Sequence, residues 1–378
     1  MLRPVASAPP KERPFLLTAG GWPYLLTPFI AIALVLELLH AGPVVLFVTS
    51  ALGVIPTAAL MGRATEELAA RSGPGIGGLL NVTFGNAPEL IIALFALEKG
   101  LQEVVKASIV GSIIGNVLLV LGASMLAGGI GRTTQRFNST AASAQASMLV
   151  LAIAAVVMPA VFEMVEGQGL PSPGAELINY DSSVEKLSLI TAFVLMGAYL
   201  AGLLFSLRTH RDLFNPAHED EYEGEPWSVR KAVGMLALAG VAVAVMSEIL
   251  VGSISETAEK AGLSEFFIGA IVVAIVGNAA EHWVAVLVAR KDKMDLAVNI
   301  SIGSSAQVAL FVAPALVFAS YLIGPGPMPL VFNGFELAAL ILAALIANQV
   351  TQDGESTWFE GVQLLAVYAI IGVAFFVA

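Results

Sequence analysis

Two glutamates occupy places where glutamates are costly. Glu89 and Glu281 each lie inside a long apolar run, and no Lys or Arg stands at comparable depth to neutralise them. An ionised carboxylate near a bilayer centre costs on the order of 3 kcal/mol even on lenient insertion scales, so it needs a cation, a proton or a task. Each glutamate follows an asparagine by three residues, Asn86 before Glu89 and Asn278 before Glu281, which puts both oxygen donors on one helix face. Gly85 and Gly277 precede the asparagines, and Pro88 interrupts the first copy. Glycine and proline loosen a helix, so backbone carbonyls freed at those turns are expected to join the side-chain oxygens around an ion. Such a cage suits a hard cation like Ca²⁺, which takes about six to eight oxygen ligands. Ser112 and Ser304 hold matching places on the following apolar runs, with Gln307 one turn beyond Ser304. These three are expected to line a polar path.

The elements that carry these residues must be membrane helices. Hydrophobic residues make up 57% of the chain and charged ones 12%, with a mean hydropathy of +0.85, a balance no ordinary soluble domain shows. Apolar stretches of roughly 20 residues, long enough to cross a bilayer core, recur throughout, without the alternation of a membrane β-barrel. Eleven spans are expected, near 22–40, 43–66, 75–98, 103–127, 140–161, 184–207, 229–252, 264–289, 295–320, 329–350 and 357–377. With the N-terminus cytoplasmic, all of the 18 Lys and Arg residues fall inside except Lys99, Lys106, Lys186 and Lys260. That asymmetry is the one expected of short cytoplasmic loops. It puts the C-terminus outside. The net charge of −11 argues against nucleic acid and for cationic partners. The absence of cysteine excludes disulfides and thiolate metal sites.

The spans repeat. Phe84-Gly85-Asn86-Ala87-Pro88-Glu89 matches Val276-Gly277-Asn278-Ala279-Ala280-Glu281, and at the same offset Gly111-Ser112 matches Gly303-Ser304. Gly62 to Glu66 matches Gly252 to Glu256 at an offset that differs by two residues. The unit is five spans long, and an odd unit forces its two copies into opposite orientations. The reading is therefore an all-α polytopic protein: a cytosolic tail (1–21), an extra helix (22–40), a first repeat (43–207), an acidic cytosolic linker (208–228) and a second, inverted repeat (229–378).

Other residues admit two readings each. His282 adjoins a site glutamate and is either a packed polar residue or a modulator of proton exchange. Glu66 and Glu256 are either solvated helix ends or gates. Gly111 and Gly303 suit close helix packing better than ligation. Glu37, Glu248 and Glu336 read as ordinary end residues or neutral hydrogen-bonders.

Asn-Val-Thr-Phe-Gly-Asn-Ala-Pro-Glu-Leu (81–90), Gly-Asn-Ala-Ala-Glu-His (277–282) and Gly-Ser-Ser-Ala-Gln (303–307) closely resemble the α-repeats of CAX-type calcium/proton antiporters in the cation/calcium exchanger superfamily. The resemblance covers nearly the whole chain. It implies that Glu89 and Glu281 bind calcium and take up protons when it leaves. It also implies that Asn86, Asn278, Ser112, Ser304 and Gln307 are site or pathway lining, and that the acidic run 219–225 corresponds to the acidic segment between the family's halves. The expected partners are Ca²⁺, protons and lipid, with no resident cofactor; a homo-oligomer is compatible with this reading. The composition and the lack of targeting signals fit a prokaryotic plasma membrane. Sodium/calcium exchangers are the nearest rival, yet they carry hydroxyl-rich motifs and often an aspartate where Gln307 stands. A passive channel is a further rival. A membrane hydrolase is disfavoured, because every aspartate falls in a loop or at a span boundary.

Overall fold

The computed structural model describes residues 21–174, 180–209 and 227–378, apart from the side chains of 73–76, 78 and 82. Arg3, Lys11, Arg13, Arg211 and the acidic run 219–225 lie outside the described residues. Each apolar stretch of the sequence contains a helix. In chain order these are α1 (Trp22–Leu38), α2 (Pro43–Ser72), α3 in two pieces (Leu79–Gly85 and Ala87–Glu98), α4 (Gln102–Gly129), α5 (Ser139–Glu166) and α6 (Ser182–Thr209). There follow α7 (Val229–Gly252), α8 (Glu265–Arg290), α9 (Met294–Ser320), α10 (Gly334–Val350) and α11 (Trp358–Val377). Among the described residues eight of these are long and apolar enough to cross a membrane, and α3 makes a ninth if its two pieces count as one span. The helices α1 and α10 are shorter; at 1.5 Å per residue α10 reaches about 26 Å.

The break between spans expected after residue 66 falls later, between Ser72 and Leu79. Helical hydrogen bonding continues from Pro43 to Gly85, because Glu66 to Ala70 favour helix as strongly as the apolar residues before them. The chain still turns sharply within that stretch. A Cβ on Gly77 would lie 2.5 Å from the carbonyl oxygen of Ala69, whereas eight residues of straight helix span about 12 Å.

Polar side chains stop the helices where they meet water. Asn138 accepts the Ala141 N–H at the start of α5, and Ser228 accepts the Lys231 N–H at the start of α7. Asn333 with Glu336 and Thr357 with Glu360 form reciprocal caps on α10 and α11. Glu336 is thus accounted for as a cap. Asp181 caps α6, and the Ser183 N–H and hydroxyl hold its carboxyl below the ordinary carboxylate range.

Loop contacts fall into two sets that follow the alternation of the chain. In one set, β1 (Gln135–Arg136), between α4 and α5, pairs antiparallel with β2 (Glu355–Ser356), between α10 and α11. Gln135 also donates to the carbonyl of Ala289 and to Asp292, beside the α8–α9 turn, at 2.9 and 2.8 Å. In the other set, Gln102 donates to the carbonyl of Gly326 (3.0 Å), and the Leu330 N–H reaches Ser188 Oγ (3.0 Å). Lys106 belongs to this second set. Only 1% exposed, it donates to the carbonyl of Val331 at 2.7 Å, with Nζ 5.6 Å from the Tyr180 ring centre.

Trp227, just ahead of α7, is docked on the end of α2. Its N–H donates to Glu67 (2.7 Å) and its carbonyl accepts from Arg71 Nε (3.2 Å). Lys231 and Arg63 stand 4.2 and 5.1 Å from its ring centre. Deeper in the bundle, small residues bring backbones together. A Cβ on Gly111 would fall 1.9 Å from the Ala270 carbonyl oxygen, so α4 and α8 cross in direct contact there.

Candidate functional site

The helix break at Asn86 positions Glu89. Asn86 leaves helical geometry (φ −94°, ψ 11°), Pro88 takes an early position in the second piece of α3, and Glu89 falls in its first turn. Proline is tolerated there because the N–H it lacks has no helical partner anyway. The free N–H groups of that turn give Glu89 a favourable partial positive charge. The two pieces of α3 meet at 41°.

The second copy is built differently. Glu281 sits in a helix that runs without interruption from Ala274 to Arg290, so the carbonyl release expected at Gly277 does not occur. An alanine, Ala280, stands where the first copy has Pro88, and no hydrogen bond is lost. Gly277 provides space instead. A Cβ there would lie 3.2 Å from Glu89 Cγ, and a Cβ on Gly85 would lie 3.7 Å from Glu281 Oε1. Each glutamate is therefore seated against the motif glycine of the other copy.

Polar groups close around the pair. Asn278 donates to Ser112 Oγ at 3.3 Å and to the carbonyl of Ala274 at 3.0 Å, and it lies within hydrogen-bonding reach of Glu89. Asn86 donates to Gln307 Oε1 at 2.8 Å. Ser304 is within hydrogen-bonding reach of Glu281. Asn86, Asn278 and Ser112 are buried, whereas Glu89 and Glu281 are half-buried. Oε2 of Glu89 is closed off and has no hydrogen-bond partner among the described residues. Glu66, on the exposed side of α2, is close enough to act electrostatically on Glu281. Two carboxylates, amide carbonyls and hydroxyls make an all-oxygen donor set, which can hold a hard cation or a pair of protons.

The structure brings Glu89, Glu281, Asn86, Asn278, Ser112, Ser304, Gln307, Gly85 and Gly277 together. It leaves Glu256 out, exposed on the short surface helix Ile254–Ala261 that follows α7. The sequence match of Glu256 to Glu66 is thus not a match of surroundings. Gly303, expected to pack like Gly111, faces Gln145 and Asn299 side chains instead of a neighbouring backbone. His282 Nε2 lies 3.1 Å from Oδ1 of Asn116, a residue 2% exposed that the sequence reading passed over. Its signal was available: Asn116 follows Ser112 by four residues and shares its helix face. Asn116 also lies in a π-helical stretch (Gly115–Val120), a kind of turn that often marks functional sites.

Comparison with known proteins gives the family. The chain matches the sodium/calcium exchanger protein family over residues 42–208 and 231–377. It is 45% identical over 351 residues to the Ca²⁺/H⁺ antiporter of Synechocystis sp., covering 89% of this chain and 91% of the relative. It is 44% identical to the Ca²⁺/H⁺ antiporter ChaA of Bacillus subtilis, covering 96% and 98%. The solved structure of native YfkE superposes with a TM-score of 0.80 at 40% identity, covering 94% of this chain and all of that one. The H⁺/Ca²⁺ exchanger CAX shares the fold at 16% identity, with a TM-score of 0.69 and 96% and 93% covered. With both glutamate motifs inside the matched segments, the chain belongs to the sodium/calcium exchanger family, on the branch of the CAX-type calcium/proton antiporters.

Proposed function

We propose that this protein is a secondary active antiporter that exchanges Ca²⁺ for H⁺, with the two ions competing for Glu89 and Glu281. The observation that carries this reading is the reciprocal seating of the two glutamates against Gly277 and Gly85. Charge balance supplies the coupling. Two ionised carboxylates around a divalent cation sum to zero, and so do two protonated ones, while an empty ionised pair leaves like charges side by side in a low dielectric. Only the loaded states cross at low cost, and alternation between two inverted five-helix repeats, α2–α6 and α7–α11, exposes the site to each side in turn. Asn86, Asn278, Ser112, Ser304 and Gln307 complete the oxygen lining, and Glu66 stands on the approach. The Lys and Arg distribution supports a cytoplasmic N-terminus and an extracytoplasmic C-terminus, in a prokaryotic plasma membrane.

Sodium as the driving ion is the alternative reading. The Asn86–Gln307 amide pair favours protons, since it supplies no further negative charge for a second metal cation. Purified protein in liposomes is expected to accumulate Ca²⁺ under an imposed pH gradient alone. Uptake that needs a sodium gradient, or that runs without saturation and without any opposing gradient, overturns the proposal.

A further inference from the structure

A second feature, a crevice with polar side chains set in an apolar lining, reaches Gln307. Between α5, α6 and α9 lies a cavity of about 80 Å³, lined by Gln145, Tyr199, Ser206, Gly303, Ala306 and Gln307 among apolar neighbours. Its outer end is at the side of the membrane where β1 pairs with β2. Gln145 lies early in α5, Ser206 late in α6, and the exposed Asn299 early in α9. Its inner end is Gln307, two helical turns and about 12 Å beyond Asn299, which accepts the hydrogen bond from Asn86. Gly303 makes the passage. The place of its missing side chain is bordered by Gln145 amide atoms at 3.6 Å, so the amide rests on α9 one turn before Gln307.

The groups in this crevice call for water. Gln145 donates to Asn299 Oδ1 at 2.5 Å, but its own Oε1 is closed off without a partner among the described residues. Tyr199 Oη also borders the crevice, within reach of Thr83. Buried polar atoms beside a cavity large enough for a few waters are normally satisfied by them. The lining is also uncharged, and Tyr199 is its one titratable group. A divalent cation stripped of water gains nothing there, whereas a chain of waters conducts protons. Glu66 differs from this lining, an exposed carboxylate close enough to act on Glu281 and of the sign that attracts cations.

We propose that the crevice between α5, α6 and α9 is a hydrated branch that delivers protons to the glutamate pair through Gln145 and Gln307, while Ca²⁺ enters past Glu66. This rests on the proton-exchange reading above, and its test separates the two. The chain has no cysteine of its own, so a single Ala306→Cys gives a clean probe inside the crevice, with Leu345→Cys, 58% exposed on α10, as a lipid-facing reference. A small uncharged hydrophilic thiol reagent is expected to label Ala306→Cys at least tenfold faster than Leu345→Cys, and Gln145→Leu in the same chain is expected to slow that labelling about tenfold. In liposomes, Gln145→Leu should slow pH-driven Ca²⁺ uptake about tenfold while leaving the Ca²⁺ binding isotherm at fixed pH within twofold, and Gln145→Asn should restore most of the rate. Labelling of Ala306→Cys only by a lipophilic maleimide, or not at all, overturns the branch. Undiminished uptake with Gln145→Leu overturns its proton role. Failure of the unmodified protein to take up Ca²⁺ under a pH gradient is a failure of the exchange reading, and the labelling result stands apart from it.

Discussion

Glu89 fills the space that Gly277 leaves open: its Cγ stands 3.2 Å from where a Cβ on that glycine would be. The contact joins the two copies of the motif at the atoms proposed to hold the ion, so the first carboxylate cannot move without reference to the second helix.

Gly277→Ala and Gly85→Ala are therefore unequal substitutions. At 3.2 Å the new methyl group forces Glu89 to yield by a few tenths of an ångström, while at 3.7 Å the methyl on residue 85 makes an ordinary contact with Glu281. Apparent Ca²⁺ affinity is expected to fall about tenfold for Gly277→Ala, in line with modest overpacking, and less than about threefold for Gly85→Ala. Isothermal titration at fixed pH measures both.

Glu89→Gln and Glu281→Gln remove one charge each and keep the side-chain volume. Either variant should insert and fold yet lose at least about 100-fold in exchange rate, since a singly charged site no longer balances a divalent ion. Flux within tenfold of the unmodified protein in either variant counts against ion competition at this pair.

Binding of Ca²⁺ should release protons. A cation beside the carboxylates favours their ionised form, so Ca²⁺ competes with H⁺ and its apparent affinity must rise as pH rises. Weakly buffered protein mixed with Ca²⁺ is expected to acidify the medium; the same experiment with Glu89→Gln and Glu281→Gln combined should give no pH change.

The dock of Trp227 on α2 gives a stability test. Removing the ring in Trp227→Ala loses two cation–π contacts, worth roughly 0.5–1 kcal/mol each. Glu67→Ala strands the part-buried backbone N–H of Trp227 and is expected to cost about 1–3 kcal/mol. Thermal unfolding in detergent should rank Glu67→Ala as the more destabilising, and the reverse order would show that the ring is the anchor.

His282→Gln should retain the hydrogen bond to Asn116 and most of the exchange rate, whereas His282→Leu should lower stability by about 1 kcal/mol, the scale of one hydrogen bond between membrane helices. An equal and large loss of exchange in both variants would place His282 in proton transfer.

Much of the site could be read from the amino acids because duplication exposes it. Glu89 and Glu281 carry the same prefix, and a residue needed only for packing has little cause to recur with its neighbours in an inverted copy. The helices were legible for a simpler reason, since a bilayer demands long apolar runs and polar residues that stop them, as Asn138, Asp181 and Thr357 do. What depended on three-dimensional crossing was not. Gly277 looks like a hinge in one dimension and is a gap for another helix's glutamate in three. Glu256 inherits the spacing of Glu66 without its surroundings. Gln145 and Asn299 are 154 positions apart and belong to no shared motif, so only the packing of α5 on α9 pairs them.

The two halves are not interchangeable, and the amide bond from Asn86 to Gln307 shows where they differ. At the offset that matches Glu89 with Glu281 and Ser112 with Ser304, the counterpart of Gln307 is Gly115, which offers no side chain for Asn278 to grip. Under the alternation proposed above the halves exchange roles, and Asn278, which bonds Ser112, has no amide at position 115 to repeat the bond. A difference of one buried hydrogen bond, about 1 kcal/mol, tilts the resting distribution roughly fivefold toward the form in which the bond is made. Under that alternation the carrier would rest on the side where Asn86 holds Gln307.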